Sequence, residues 1–234
     1  MNKGKVIVVE GLDGSGKGTQ SRMLASNLRI HGYKVYHVSF PDYNNDSSAL
    51  IKMYLKGEFG KKPDDVNVYA TTSFYAVDRF ASFKKSWKKL YDDGYIIVAD
   101  RYSTSNLIYQ LAKVPNTNWD KLRMWIEHYE YNLLGLPRPD DVYYLSVPIE
   151  VSQNLMAKRY QNDDTKKDIH ESNIKYLNHC YHAALYCINQ CGWHKIQCMD
   201  NFNTKQIRNI NDIQKDILDR ILFNKDYDIN KGRL

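Results

Sequence analysis

Short apolar runs separated by longer stretches of helical periodicity organise this chain. Lys5–Val9 (Lys-Val-Ile-Val-Val) is apolar almost throughout, the pattern of a strand buried on both faces of a parallel sheet. Lys34–Ser39, Tyr95–Ala99, Asp141–Ser146 and His194–Met199 follow as four more strand candidates. Helical stretches are expected to begin near Lys17, Val66, Ser103, Trp119, Ile149 and Ile169, with a last one from Thr204 to about Phe223. Strands alternating with helices of this length build β-α-β units. The expectation is an α/β fold, a five-stranded parallel sheet flanked by helices. No internal repeat or Pro/Gly/Ser-rich linker divides the chain, so one domain over 1–234 is expected, with a frayed polar tail at about 224–234.

Composition narrows the class. With 234 residues, 43% hydrophobic and 26% charged, the chain has enough apolar material for a core and is neither disordered nor collagen-like. Apolar runs such as Val6–Val9 and Ile96–Ala99 are far too short to cross a bilayer. Met1–Lys5 leads into the first strand without the apolar segment of a signal peptide. A cytoplasmic protein with no membrane partner is expected.

The net charge of +6 raises the question of a nucleic-acid partner. The densest basic stretch answers it. Phe80, Phe83, Trp87 and Leu90 share one helical face, while Lys84, Lys85, Lys88 and Lys89 project elsewhere. No aromatic sits among those lysines to stack a base, so a solvated helix face is expected and no nucleic acid. Cys180, Cys187, Cys191 and Cys198 contain no C-x-x-C pair, and the first three recur on one helical face. They read as small buried thiols, not a zinc site.

The strongest chemical signal directly follows the first strand: Gly11-Leu12-Asp13-Gly14-Ser15-Gly16-Lys17-Gly18-Thr19. Gly-x4-Gly-Lys between a buried strand and a helix start is the phosphate-binding loop. Its curled backbone turns N–H groups inward at the phosphates of ATP, the helix N-terminus adds its dipole, and Lys17 supplies a point charge. Gly18 stands where the strict pattern has Ser or Thr on Mg²⁺. Asp13 and Asp100 are therefore the candidates to hold the metal, through its water shell.

Three further segments bear on the phosphate acceptor: Phe40-Pro41-Asp42-Tyr43, Phe74–Arg79, and Asp100-Arg101-Tyr102 with Ser105-Asn106 and Tyr109-Gln110. Tyr75 and Arg79 share a helical face, which suits a nucleoside monophosphate, the ring on the base and the Arg on the phosphate. Together with Leu136-Pro137-Arg138-Pro139-Asp140, these segments resemble the thymidylate kinase family from Gly11 to about Tyr181. The resemblance implies a three-layer P-loop kinase fold with a lid, and transfer of the γ-phosphoryl group of ATP to dTMP in dTTP synthesis. It implies that Tyr75 stacks the thymine, Arg79 holds it by hydrogen bonding and Asn106 reads its edge. Ser105 belongs to the same dTMP-binding motif. Arg101 would contact the transferring phosphate, Tyr109 would crowd a ribose 2′-hydroxyl, Asp13 would meet the 3′-hydroxyl or the metal's water, and Tyr43 would lie by the acceptor phosphate.

The polar stretch at about 160–170 reads as the lid. In the family a catalytic Arg stands in the phosphate loop or in the lid. Gly14 and Ser15 fill the loop positions here, so Arg159 at the lid's entry is the expected lid cation, with Lys166 and Lys167 inside the lid. The catalytic set is then Lys17, Arg101, Arg159 and Asp13. Related enzymes pair through helices beside the sheet; a homodimer is expected, with the Phe80–Trp87 helix as its candidate face. Three alternatives stay open: a deoxynucleoside kinase using Asp42 as base, an adenylate kinase, and a DNA-stimulated NTPase.

Overall fold

A computed structural model describes residues 3–159, 161, 163, 168–200, 206–224 and 227. In chain order the elements are β1 (Lys5–Glu10), α1 (Lys17–Ile30), β2 (Val35–Ser39), α2 (Ala49–Leu55), α3 (Val68–Ser82), α4 (Lys88–Asp92), β3 (Ile96–Asp100), α5 (Ser103–Leu111) and α6 (Trp119–Glu127). They continue with β4 (Asp141–Ser146), α7 (Ile149–Arg159), α8 (Ile174–Gln190), β5 (His194–Gln197) and α9 (Ile210–Leu222). The strands form one parallel sheet ordered β2-β3-β1-β4-β5. Every predicted strand is present.

Alternation along the central strands divides the core in two, giving three layers. Val6 and Val8 of β1 join Ile97 and Ala99 of β3 against the face covered by α5, α6 and α8. Ile7 and Val9 join Ile96 and Val98 on the other face, under α1 and α9. Pairing of Val9 with Asp100, and of Asp100 with Ser39, aligns the carboxyl ends of β1, β3 and β2. Open α/β sheets bind ligands outside such an edge.

Helix starts shift to where a side chain caps them. α3 begins at Val68, two residues past the expected point near Val66, because Asn67 Oδ1 accepts from the N–H groups of Tyr69 and Ala70. α8 begins at Ile174 and not at Ile169: Asn173 caps it, and the preceding turn is tied up by Asp168 Oδ1, which accepts from His170 N–H and Glu171 N–H. α9 begins at Ile210 behind Asn209, later than the Thr204 expected. The seven-residue α2 is too short to leave a clear period and was not foreseen.

The Phe80–Leu90 segment is not one continuous helix face. A π turn at Phe83–Trp87 inserts between α3 and α4 and turns both rings inward, with Phe83 6% and Trp87 0% exposed. Those rings are core and unavailable to a second subunit. Lys88 and Lys89 pair with Asp92 and Asp93 one turn on, as a solvated face does. The cysteines are free thiols, with Cys180, Cys187 and Cys198 buried. No described helix is long and apolar enough to cross a membrane. Most of the expected lid at about 160–170, with Lys166, Lys167 and the side chain of Arg159, lies outside the described residues, as does most of the 224–234 tail.

Candidate active site

Where β1 ends, the chain turns through the glycine loop and re-emerges as α1 with Lys17 as its first residue. Gly14 has φ +81°, and a Cβ there would collide with the Ser152 carbonyl of α7. Only glycine lets the loop pass that close beneath α7.

Asp13 is the hub of the site. Lys17 Nζ donates to its Oδ1 at 3.1 Å, Tyr109 Oη donates to its Oδ2 at 3.0 Å, and the Arg101 guanidinium also donates to Oδ1. Burial alone would push the Asp13 carboxyl up, but Arg101 and Lys17 outweigh it and hold the group well below the usual carboxylate range. Burial and the neighbouring Arg101 bring Lys17 down from its ordinary value.

Arg101 is aimed by its backbone. It has φ +64°, a left-handed conformation uncommon outside glycine, and its N–H donates to Val9 O at 3.2 Å. Glu10, wholly buried at the end of β1, secures the residues that follow. Its Oε1 accepts from Tyr102 N–H (3.3 Å), Thr104 Oγ1 (2.7 Å) and Ser105 Oγ (2.8 Å), fixing the first turn of α5. Arg101 then reaches Tyr109 Oη at 3.2 Å and Ser105 Oγ at 3.5 Å. The sequence reading gave Glu10 no role; a lone carboxylate closing an apolar strand was the available signal.

The acceptor side lies between α3 and α5. Arg79, 1% exposed, donates from Nε and Nη2 to Glu130 at 2.7 and 2.6 Å, and Glu130 also accepts from Asn106 Nδ2 at 2.8 Å. A guanidinium already neutralised by Glu130 is a poor phosphate clamp. The pairing leaves Arg79 Nη1 free of Glu130. Glu130, on the turn after α6, had no signature that sequence reasoning uses. Beside the pocket, His170 stacks on Tyr109 with ring centroids 5.5 Å apart and bonds Tyr54 Oη at 2.9 Å. Burial and the Lys113 ammonium depress its pKa to about 3, so it stays neutral. Burial and the Asp13 carboxylate raise Asp168 to about 7.

One cavity of about 840 Å³ collects both halves of the site. Asp13, Gly14, Gly16, Lys17, Gly18 and Thr19 line one end, and Tyr43, Tyr75, Arg79, Ser105, Asn106 and Tyr109 the other, with Asp100 and Arg101 also on its wall. Gly11 and Ser15 shape the loop without lining the cavity, and Arg22, Asp168, His170 and Glu171 are lining residues not foreseen. Asp42 is absent from the lining, and its carboxylate takes Asn45 Nδ2 at 2.5 Å. Its carboxylate is thus engaged beside the cavity, which counts against the base a deoxynucleoside kinase would need.

The residues fit Mg²⁺ held through water. No group of three candidate ligands gathers among the described residues. Asp100 Oδ1 is buried without a partner, and a Cβ on Gly18 would come within 3.0 Å of Asp100 Oδ2. The missing loop hydroxyl thus leaves room for the Asp100 carboxylate beside the phosphate loop.

The profile of the thymidylate kinase family matches residues 9–208. The chain is 31% identical over 211 residues to thymidylate kinase of Plasmodium falciparum, covering 89% of this chain and 91% of that one. It is 29% identical over 163 residues to the Homo sapiens thymidylate kinase, covering 68% and 70%. Among solved structures, thymidylate kinase from Candida albicans superposes with a TM-score of 0.68 at 19% identity, covering 97% of this chain and 94% of that one, a likeness of fold. With the phosphate loop, the Asp100-Arg101-Tyr102 turn and the Tyr75–Arg79–Asn106 pocket in one cavity, this chain belongs to the thymidylate kinase family.

Proposed function

We propose that this chain transfers the γ-phosphoryl group of ATP to dTMP, giving dTDP and ADP, through the residues gathered around Asp13. The observation that carries this reading is the single cavity in which the phosphate loop and the Tyr75–Asn106 pocket meet at the Asp13–Arg101–Tyr109 cluster. The attacking atom is a dTMP phosphate oxygen, ionised at neutral pH, so no general base is needed. Catalysis then reduces to alignment and to positive charge around the moving group.

Each residue has a part in that alignment. The loop N–H groups from Gly11 to Thr19 hold the ATP phosphates, and Lys17 neutralises the β–γ region. Arg101 is held by Asp13 before substrate binds and turns to the phosphate in transit. Tyr75 stacks the base, Arg79 and Asn106 bond its edge, Ser105 supports Arg101, and Tyr43 lies beside the acceptor phosphate. Tyr109 occupies the space of a 2′-hydroxyl. Arg159 supplies the lid-side cation. Asp13 and Asp100 would hold Mg²⁺ through water, and the ion would supply charge neutralisation on the phosphates.

The same reading makes the whole of 1–234 one domain with a lid at about 160–170, working in the cytoplasm in dTTP synthesis. It also makes the protein a homodimer. The exposed apolar side chains Tyr69 and Val77 of α3 and Met124 of α6 support pairing through those helices, since Phe83 and Trp87 are buried. The test is a coupled ADP-release assay with dTMP, dUMP, AMP and thymidine as acceptors. dTMP is expected to turn over fastest. Faster turnover with thymidine or AMP, or ATP turnover that requires DNA, overturns the reading.

A further inference from the structure

Cys187 and Cys191 stand one helical turn apart at the end of α8, where Cys191 N–H donates to Cys187 O at 2.8 Å. They differ in access. Cys187 is 0% exposed, while Cys191 is half-buried and lines a second cavity of about 160 Å³. Thr104, Leu107, Glu127, Tyr131 and Arg138 share that wall, and its lining has no residue in common with the active-site cavity.

The surroundings single out Cys191 among the four thiols. The Cys187 thiol donates a hydrogen bond to the Cys191 sulfur, and with the Arg123 guanidinium of α6 it brings Cys191 below its ordinary value, although burial opposes the shift. The carbonyl end of α8 also works against a negative sulfur, and Glu127, 3.2 Å from Arg123, offsets part of the positive charge. Burial raises the other three thiols, with Cys198 pushed up to about 12. A half-buried sulfur that accepts from a second, buried thiol has the parts of an attacking cysteine and a resolving one.

We propose that Cys191 and Cys187 form a site of reversible oxidation by hydroperoxides, with Cys191 attacking and Cys187 resolving. The Cys191 thiolate attacks a peroxide oxygen and the O–O bond breaks. The leaving oxygen takes up the proton shed by the thiol, departing as alcohol or water, and Cys191 becomes a sulfenic acid. The Cys187 sulfur then attacks the Cys191 sulfur, the S–OH bond breaks, and water leaves with the Cys187 proton as a disulfide closes. The two thiols lose two electrons and the peroxide gains them. Cβ atoms four residues apart on a helix are about 5–6 Å from each other, beyond the roughly 3.5–4.5 Å of a disulfide, so closure opens the last turn of α8. Gly192, with φ +68° and open space where a Cβ would stand, gives that turn room to move.

The test is treatment of folded wild type, Cys187→Ala and Cys191→Ser with a small excess of hydrogen peroxide, then alkylation in urea and peptide mass spectrometry. Wild type should yield the tryptic peptide 176–195 bridged between Cys187 and Cys191, with an alkyl group on Cys180 alone. Dithiothreitol should restore all three thiols. Cys187→Ala should hold a sulfenic acid at Cys191 that dimedone traps, and Cys191→Ser should keep Cys187 open to alkylation. Without peroxide, Cys191 of the folded protein should react with iodoacetamide at least about tenfold faster than Cys198. Alkylation of both Cys187 and Cys191 in peroxide-treated wild type, or a bridge to Cys180 or Cys198, overturns the proposal. A sulfenic acid at Cys187 in Cys191→Ser overturns the choice of Cys191 as the attacking sulfur. If Cys187→Ala does not fold, the contrast between wild type and Cys191→Ser decides the matter.

Discussion

Removing the Glu130 carboxylate should unfold the acceptor pocket from within. Arg79 is 1% and Glu130 0% exposed, and they are joined by two hydrogen bonds of 2.7 and 2.6 Å, with Asn106 attached at 2.8 Å. Glu130→Leu leaves a guanidinium buried without a counter-charge, a change that costs about 3–5 kcal/mol. In a chain of this size 1 kcal/mol moves the melting temperature by about 2–4 °C, so the variant should melt about 6–20 °C below wild type. Glu130→Gln keeps the shape and one acceptor oxygen, and should lose about half as much. The double variant Arg79→Met/Glu130→Leu should recover most of the loss, because a packed apolar pair replaces a buried ion pair at little cost. Its KM for dTMP should nevertheless stay high, because the base has lost Arg79. The assay is thermal and urea unfolding of the four proteins, with dTMP kinetics on the two that stay folded. Stability of Glu130→Leu within about 1 kcal/mol of wild type would refute the view that this pair anchors the pocket.

Three other outcomes are expected. Arg101→Ala should lower kcat by at least about a hundredfold with the fold intact, since arginine contacts in phosphoryl transfer are worth about 10³–10⁵; near-normal turnover in the coupled assay removes Arg101 from the catalytic set. Tyr109→Ala should relax discrimination against the ribosyl analogue of dTMP, and an unchanged ratio of kcat/KM values means Tyr109 is not the sugar gate. His170 carries a folded-state pKa of about 3 against an ordinary 6.5, so the unfolded chain binds the extra proton between those values and stability rises with pH across the window. His170→Phe keeps the ring on Tyr109 and removes this term: relative to the variant, wild type should gain about 2–3 kcal/mol between pH 4.5 and 6.5, then level off, in urea unfolding. A pH-independent difference contradicts a buried neutral His170.

Much of the fold was legible because its signals are local. β1, β3 and β4 are buried on both faces, and such strands must be apolar in unbroken runs whatever packs on them. The phosphate loop was legible for the same reason: glycine spacing, lysine and helix start lie within a few consecutive residues. Helix boundaries were less so, because Asn67, Asn173 and Asn209 decide them one residue at a time. The π turn that buries Phe83 and Trp87 reflects demand from the core, to which a helical wheel is blind.

The chain's sequence by itself determined the order of strands and helices and the phosphate loop. Tertiary structure alone decided the pairings between residues far apart in the chain. Asp13 and Arg101 are 88 positions apart, Arg79 and Glu130 51, and Glu10 and Thr104 94. Nothing local in the sequence encodes such pairings, because they form only when the parallel sheet aligns its strand ends and α5 docks across α3. The same closure spends Arg79 on Glu130 and leaves Gln110 facing the cavity with its amide unpaired. Burial makes each of these choices costly to reverse, and so converts residue types into assigned roles.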